Sequence, residues 1–233
     1  MARINIYRTR REAGFSLLEL IIGMTITLGI MAIAGAMLSG SFNIRRRENR
    51  RAEAISAAQH ALNYLSRDLA NAGFGLRKNG IVNEDSDASS IRIRANLDGF
   101  SGTSGAASLA QADEDVEYFL HKTDTDQNSF KGELMRYDVN LQQSRLLVAN
   151  VDDFEIYYFS QKVDYTLDPT GGITVTTPGV AEVDDQSKTT YVVITLMFTL
   201  EAVGKPGAPG YQPASQVQLA TDVALRNRNL GIY

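Results

Sequence analysis

A run of 25 residues without a charged side chain, from Leu20 to Ile44, constrains this 233-residue chain more than any other feature. As an α-helix the run is about 37 Å long at about 1.5 Å per residue, and the hydrocarbon core of a bilayer is about 30 Å thick. A cleaved secretory signal has a shorter apolar stretch, followed by a cleavage site with small residues. The run therefore predicts a transmembrane helix.

Charge divides the chain into a basic stem and an acidic body. Residues 1–75 contain ten Lys and Arg against five Asp and Glu, whereas residues 76–233 contain 13 against 22. An acidic body repels the phosphates of DNA and RNA, so no nucleic-acid partner is expected. The chain has no cysteine and only two histidines, His60 and His121, which excludes disulfides, cysteine zinc sites and multi-histidine metal centres. We expect no metal and no cofactor.

The motif Gly14-Phe15-Ser16-Leu17-Leu18-Glu19 joins a basic leader to the apolar run. The leader contains four arginines: Arg3, Arg8, Arg10 and Arg11. This order of features resembles the leader junction of type IV prepilins and of the pseudopilins of type II secretion. The resemblance implies that a prepilin peptidase cuts between Gly14 and Phe15 on the cytoplasmic side of the membrane, and that the new N-terminal residue is methylated.

Glu19 is a carboxylate near the end of an apolar helix. Such a charge is expensive in lipid, so it is usually paired or functional. One interpretation is that Glu19 lies close enough to the headgroups to stay hydrated and has no role. The resemblance implies the other interpretation, in which Glu19 neutralises the terminal amine of a neighbouring subunit as that subunit enters a filament.

Orientation in the membrane does not follow from charge alone, because arginines flank the run on both sides. The resemblance implies a single-pass inner-membrane protein with a periplasmic C-terminal body, which later becomes part of a pilus on the cell surface. The arginine cluster within residues 45–51 has two interpretations. It forms either a hydrated collar near lipid phosphates or a contact with acidic residues of adjacent filament subunits.

The helix is predicted to continue beyond the membrane, from about Phe15 to about Ala72. One apolar stripe with spacings of three and four residues consists of Ile55, Ala58, Leu62, Leu65 and Leu69. Gly73 and Gly75 then predict the end of the helix. The resulting division is a leader (1–14), a transmembrane half of the helix (15–44), a periplasmic half (45–75) and a head domain (76–233).

The head domain changes to an alternating pattern that is typical of β-strands. Strands are predicted at Ile91–Arg94, Val116–Leu120, Glu133–Tyr137, Arg145–Ala149, Phe154–Ser160, Tyr191–Leu200 and Gln216–Arg226. Loops rich in Gly, Ser, Ala or Pro are predicted at Asn96–Ala112, Asp164–Lys188 and Val203–Ser215. No helical pattern separates the strands, which favours an antiparallel sheet and an α+β class. A long helix followed by such a sheet is also the pilin architecture.

Three further segments resemble the PilW-type minor pilins: Leu69–Phe74, Leu134–Tyr137 leading to Val151–Tyr158, and Val223–Arg228. The resemblance implies a minor pilin that acts in the initiation of pilus assembly or at the pilus tip. Its partners would be the prepilin peptidase, other minor pilins, the major pilin, the inner-membrane assembly platform and the lipid bilayer. A J-like minor pseudopilin of type II secretion, and a tip adhesin or DNA-uptake pilin, remain alternatives.

Catalytic and metal-binding patterns are weak in this sequence. No motif surrounds either histidine, so no nucleophile–base arrangement is indicated and no enzymatic activity is expected. Asp124–Asn128 has the first three ligand spacings of a calcium loop, but Ser129 occupies the glycine position and Met135 the position of the bidentate glutamate. Glu133 lies nearby. An acidic hairpin turn is the favoured interpretation, and calcium binding stays open.

Overall fold

One long helix begins the part of the chain that the computed structural model describes, which comprises residues 14–76, 78–97, 109–122, 131–169, 171–208 and 210–227. Helix α1 runs from Leu17 to Asn71 and has 55 residues. The prediction of a helix from 15 to 72 is confirmed within two residues at each end. The helix ends because Gly73 has a φ of 76°, a left-handed conformation that glycine adopts without strain.

Nine strands follow α1 within the described residues, and every pairing between them is antiparallel. They are β1 (Ser90–Arg94), β2 (Asp115–Lys122), β3 (Gly132–Asp138), β4 (Gln143–Val151), β5 (Asp153–Phe159), β6 (Tyr165–Leu167), β7 (Ile173–Val175), β8 (Tyr191–Leu200) and β9 (Ser215–Ala224). Short 3₁₀ helices span Asn83–Asp85 and Gln186–Lys188. The α+β class is therefore confirmed.

The strands form three sheets and not one. Their orders are β1-β2-β3-β4, β5-β8-β9 and β6-β7. All seven predicted strands are present, Tyr191–Leu200 with the predicted ends and the other six with shifted ends. The segment predicted as the loop Asp164–Lys188, however, contains the small hairpin of β6 and β7. That part of the loop prediction is wrong. Each of these two strands has three residues, which is too short for an alternating pattern to be evident.

The main core lies between the second half of α1 and the two larger sheets. The predicted stripe is confirmed, because Ala58, Leu62, Leu65 and Leu69 are buried, and Ile55 is half-buried. The sheets contribute Ile91, Ile93, Val116, Tyr118, Leu134, Phe154, Ile156, Val192, Ile194, Leu196 and Phe198 to the same core.

Strand β8 is buried on both of its faces. The predicted apolar face joins the main core, while Tyr191 and Val193 on the opposite face form a second cluster with Phe159 and Val163. Residues of the β6–β7 hairpin pack against this cluster. Strand β8 is thus paired on both sides and covered on both faces, which makes it the most shielded strand among the described residues. This burial explains why its sequence is almost wholly apolar.

The chain divides into two compact units. The first, here called the stem unit, contains Met1–Arg46 and Val203–Gln212, and the second, the head unit, contains Arg47–Ala202 and Pro213–Tyr233. The second half of α1 thus belongs to the head unit. Within the stem unit, every described residue from 14 to 39 is exposed.

Candidate functional site at the start of the helix

The predicted processing residues lie in a short non-helical segment directly before α1. Gly14 and Phe15 are exposed, and 85% of Phe15 is accessible to solvent. The first helical hydrogen bond of this region runs from the backbone amide of Leu20 to the carbonyl oxygen of Ser16, at 3.1 Å. The Gly14–Phe15 peptide bond therefore lies outside the helical hydrogen-bond pattern, in the kind of segment that a membrane-surface enzyme can engage.

Gly14 is not required by contacts within the described chain. A Cβ atom built on Gly14 would meet no atom within 4 Å. Its backbone also shows no left-handed φ, the conformation that favours glycine. The described residues therefore impose no requirement for glycine at this position.

Glu19 lies in the first turn of α1, where the positive end of the helix dipole favours a carboxylate. Its side chain has no hydrogen-bond or ion-pair partner among the described residues. At four-residue spacing it shares one helix face with Gly23 and Thr27. A shallow groove of about 460 Å³ on this part of the helix is lined by Phe15, Glu19, Leu20, Gly23, Met24, Thr27 and Leu28. The groove is apolar except for one carboxylate and one hydroxyl.

The part of the apolar run before Gly40 is not covered by any other part of the described chain. The described part of the chain contains one helix long and apolar enough to cross a membrane, and none of its most apolar window is buried. Its hydroxyl groups bond to carbonyl oxygens of the same helix, as Thr25 Oγ1 does to Ile22 (2.9 Å) and Thr27 Oγ1 to Gly23 (2.8 Å). A helix that satisfies its own polar groups in this way fits lipid or the flank of another apolar helix.

Neither interpretation of the arginine cluster fits Arg47. Its side chain is buried, and it donates hydrogen bonds to the carbonyl oxygen of Pro213 and, at 2.5 Å, to Ser215 Oγ. It thus joins α1 to the start of β9. The remaining members of the cluster are exposed: Arg45, Arg46, Arg50 and Arg51.

Two of the segments that the sequence singles out, Leu69–Phe74 and the C-terminal segment that begins at Val223, meet at the C-terminal end of α1. Asn227 Nδ2 donates to the carbonyl oxygens of Ala72 at 3.2 Å and of Asn71 at 3.4 Å. The Asn71 carbonyl also accepts from the amide of Phe74 at 3.0 Å, and the asparagine side chain adds a partner at the helix end, where carbonyls lack helical partners. Arg228, the last residue of the C-terminal segment, lies outside the described residues.

A charged network joins α1 to the first sheet within the head unit. Asp68 on α1 accepts hydrogen bonds from Tyr118 Oη (2.6 Å) and from Arg136 Nη2 (3.0 Å), and the same guanidinium pairs with Asp113 at 2.7 Å. Burial, together with the charge and hydrogen bond of Asp68, raises the pKa of the Tyr118 hydroxyl. Tyr118 therefore stays a neutral donor at physiological pH, and the network has a structural role.

The other chemistry-bearing residues are scattered. His60 is exposed on α1 and His121 is exposed at the end of β2. Among the described residues, no group of three His, Asp or Glu side chains is placed to hold a metal ion. The calcium-loop candidate Asp124–Asn128 lies outside the described residues.

A groove of about 480 Å³ on the head unit lies beside residues 50–57 of α1 and the end of β8. Its charged rim includes Lys131 Nζ, which pairs with Glu201 at 2.9 Å. The hydrogen bond from Lys131 lowers the pKa of the Glu201 carboxyl. The ion pair satisfies both charges, and nothing in the groove suggests a reacting group.

Comparison with known proteins adds no identification, since no family model, no curated protein and no solved structure matches this chain. Sequence reasoning found Gly14, Phe15 and Glu19 because they form one contiguous motif. It missed Arg47 and Asn227, whose partners lie more than 150 residues away along the chain.

Proposed function

We propose that this protein is a minor pilin of a type IV pilus. It is cleaved by a prepilin peptidase between Gly14 and Phe15, and it acts in the initiation of pilus assembly or at the pilus tip. One observation carries the proposal: the Gly14–Glu19 motif spans the exposed start of α1, and the apolar part of that helix up to residue 39 has no cover within the described chain.

Processing accounts for the glycine. Since a side chain at position 14 would fit among the described residues, we assign the preference for glycine to the peptidase that binds this segment. A peptidase that grips the backbone closely is obstructed by a Cβ atom. Cleavage there also creates an amino group at Phe15, four residues before Glu19.

Assembly accounts for the carboxylate. Glu19 has no partner among the described residues, and an unpaired charge in an apolar environment is unfavourable. The amino group of a neighbouring subunit supplies the opposite charge when the two apolar helices pack together. Glycines with open space around them, Gly23, Gly29 and Gly35, allow that close approach.

In this proposal the chain is anchored in the inner membrane with a periplasmic head until it enters the pilus. Its partners are the prepilin peptidase, other minor pilins, the major pilin, the assembly platform of the inner membrane and lipid. The head unit supplies the specific contacts and no chemistry.

The decisive experiment combines two variants in the native host. Gly14→Val should leave a full-length membrane-bound precursor, whereas Glu19→Ala should be cleaved at Phe15 and inserted but absent from filaments. Glu48→Ala is the matched control, because it removes an exposed glutamate from α1 beyond the apolar run. Mass spectrometry of the purified mature chain and counts of surface pili give the readouts. A mature chain that begins anywhere other than Phe15, or normal piliation with Glu19→Ala, contradicts the proposal.

The second candidate is a J-like minor pseudopilin of a type II secretion system, since the leader motif and the Asn-Ala-Gly ending of α1 suit both. Deletion of the chromosomal copy separates the two functions. Loss of surface pili with normal secretion supports the minor pilin. Loss of secreted protein with normal pili supports the pseudopilin.

A further inference from the structure

A hairpin-like loop, Val203–Gln212, belongs to the stem unit together with the apolar part of α1. It is closed by two backbone hydrogen bonds of 2.9 Å between Val203 and Gln212. Inside it, the amide of Ala208 donates to the carbonyl of Lys205 at 3.0 Å, and the amide of Tyr211 donates to the carbonyl of Ala208 at 3.1 Å. These bonds give the loop a defined shape.

The loop touches α1 backbone to backbone. A Cβ atom added to Gly210 would lie 2.3 Å from the Cα atom of Gly40, a distance that real Cβ atoms do not reach. Gly40 is buried, although every described residue from 14 to 39 is exposed. A second approach brings Gly204 to the side chain of Asn43. The contact is therefore confined to the end of the apolar run.

The position of Gly40 fixes the depth of this contact in a bilayer. A hydrocarbon core of about 30 Å takes about 20 helical residues. If the core begins at Leu20, where the uncharged run begins, it ends at about Ser39. Gly40 lies directly beyond that point, and Arg45, the first charge after the run, lies about 9 Å beyond Ser39 along the helix axis. The headgroup layer on each side is about 5–7 Å thick, so the loop meets the helix at the level of the headgroups.

The exposed side chains of the loop suit that layer. Lys205 is exposed next to the small apolar residues Pro206 and Ala208, and Tyr211 is half-buried. Tyrosine prefers the interface between lipid and water, and a lysine near the membrane surface is attracted by anionic headgroups. Arg45 and Arg46, also exposed, stand at the same end of the run.

We propose that the loop Val203–Gln212 is a second membrane contact, which lies in the lipid headgroup layer and binds anionic lipids through Lys205 together with Arg45 and Arg46. The inference rests on the proposed insertion of α1 in a membrane. It adds that the protein is held at the bilayer by two separate parts of the sequence. The headgroup contact then restrains the rotation of the helix about its own axis and its tilt away from the membrane normal.

The test uses the absence of cysteine from this chain, because each introduced cysteine is then a unique labelling site. The full chain is reconstituted in phosphatidylcholine–phosphatidylglycerol vesicles, with a fluorophore at one of three positions. A34C marks the middle of the apolar run, A208C marks the loop, and S144C marks an exposed residue of β4 in the head unit. Lipids with a nitroxide on the headgroup or deep in the acyl chain quench the fluorophore according to its depth.

We expect deep nitroxides to quench A34C and headgroup nitroxides to quench A208C more strongly than S144C. The difference for A208C should fall in pure phosphatidylcholine vesicles and in the Lys205→Ala background. If A34C is quenched but A208C matches S144C, the loop contact is wrong while insertion stands. If A34C is not quenched by deep nitroxides, insertion itself fails, and the loop proposal fails with it.

Two glycines of the loop give a matched pair of variants. Gly207 and Gly210 have similar left-handed φ values of 81° and 78°, but only Gly210 touches Gly40, since a Cβ atom at Gly207 would meet nothing within 4 Å. Gly210→Ala should therefore reduce headgroup quenching of A208C to the S144C level, and Gly207→Ala should not. Equal quenching in both variants overturns the claim that the contact with Gly40 holds the loop at this depth.

Discussion

The two halves of α1 have the same helical backbone but differ in the burial of their apolar side chains. In the half before Arg46, large apolar side chains occur on all sides, and all are exposed. In the half after Arg47, apolar side chains form one stripe, and the stripe is buried against sheets of the same chain. The spacing of the apolar residues therefore distinguishes the half of the helix that packs against its own chain from the half whose apolar side chains stay exposed.

Polar groups follow the same division. In the exposed half, hydroxyls bond to carbonyls of their own helix, and the one carboxylate, Glu19, has no described partner. In the buried half, Arg47 and Asp68 bond to distant strands. The first half is thus ready for an apolar solvent, whereas the second is an integral part of the head.

The largest expected effect comes from cutting the chain on either side of the second half of α1. A fragment of residues 46–233 keeps the stripe and should be a soluble, cooperatively folding domain. A fragment of residues 77–233 exposes Ile194, Leu196 and the rest of the apolar face. Loss of each buried leucine costs about 2–5 kcal/mol, so loss of the whole stripe exceeds the usual stability of about 5–15 kcal/mol. The shorter fragment should aggregate or be partly unfolded.

Circular dichroism melts and analytical size-exclusion chromatography of both fragments check this expectation. Equal cooperative transitions would mean that the second half of α1 is not part of the core. That result would contradict the difference in burial between the two halves.

A single substitution tests the same contrast with a smaller effect. Leu65 is fully buried, so Leu65→Ala should lower the free energy of unfolding of the head by about 2–5 kcal/mol. Leu28→Ala makes the same chemical change in the exposed half and should leave the melting of the head unchanged in detergent. Chemical denaturation of the full chain, followed by tyrosine fluorescence, measures both. A comparable loss with Leu28→Ala would reveal a contact of the first half with the head.

Acid should weaken the head through Asp115. Its carboxylate accepts from Arg92 Nε at 2.7 Å and from Arg94 Nε at 2.9 Å. Burial opposes its ionisation, but these guanidinium hydrogen bonds prevail and lower its pKa below the ordinary value of 3.8. A lowered native-state pKa means that the stabilisation is complete above about 3.8 and is lost as the pH falls through the native-state value.

Asp115→Asn should therefore destabilise the head by about 1.5–3 kcal/mol at pH 7, the usual range for hydrogen bonds to charged groups. The difference from the wild type should shrink as the pH falls below about 3.8. Asp184→Asn, at an exposed aspartate, is the control and should have no effect. Urea titrations at several pH values measure the difference, and a pH-independent difference would rule out ionisation of Asp115 as its source.

The sequence predicts those parts of the molecule whose signals are local. Period and composition predict both halves of α1, and alternation predicts the longer strands. One six-residue motif contains the whole candidate site, and in the proposed function its residues Gly14, Phe15 and Glu19 act on partners outside the chain. These three residues are exposed and make few contacts with the rest of the described chain, so their order in the sequence is sufficient to predict them.

The features that sequence patterns do not predict depend on residues that are far apart in the chain. The division into separate sheets depends on pairings such as that of β5 with β8, which no local pattern encodes. Arg47 looks like any other member of an arginine cluster, and its burial follows only from its contacts 166 and 168 residues away. The approach of Gly210 to Gly40 is similar, because a glycine beside a proline predicts a turn and not what the turn touches.

The smallest expected effect lies in the exposed half, at Gly29. A Cβ atom there would meet nothing within 4 Å, and glycine inside a helix costs about 0.5–1 kcal/mol relative to alanine. Gly29→Ala should therefore slow hydrogen exchange of nearby helix amides in detergent micelles and leave the unfolding of the head unchanged. If hydrogen exchange becomes faster, or the head loses stability, then Gly29 already packs against another part of the chain. In that case the first half of α1 would not be free for an external partner.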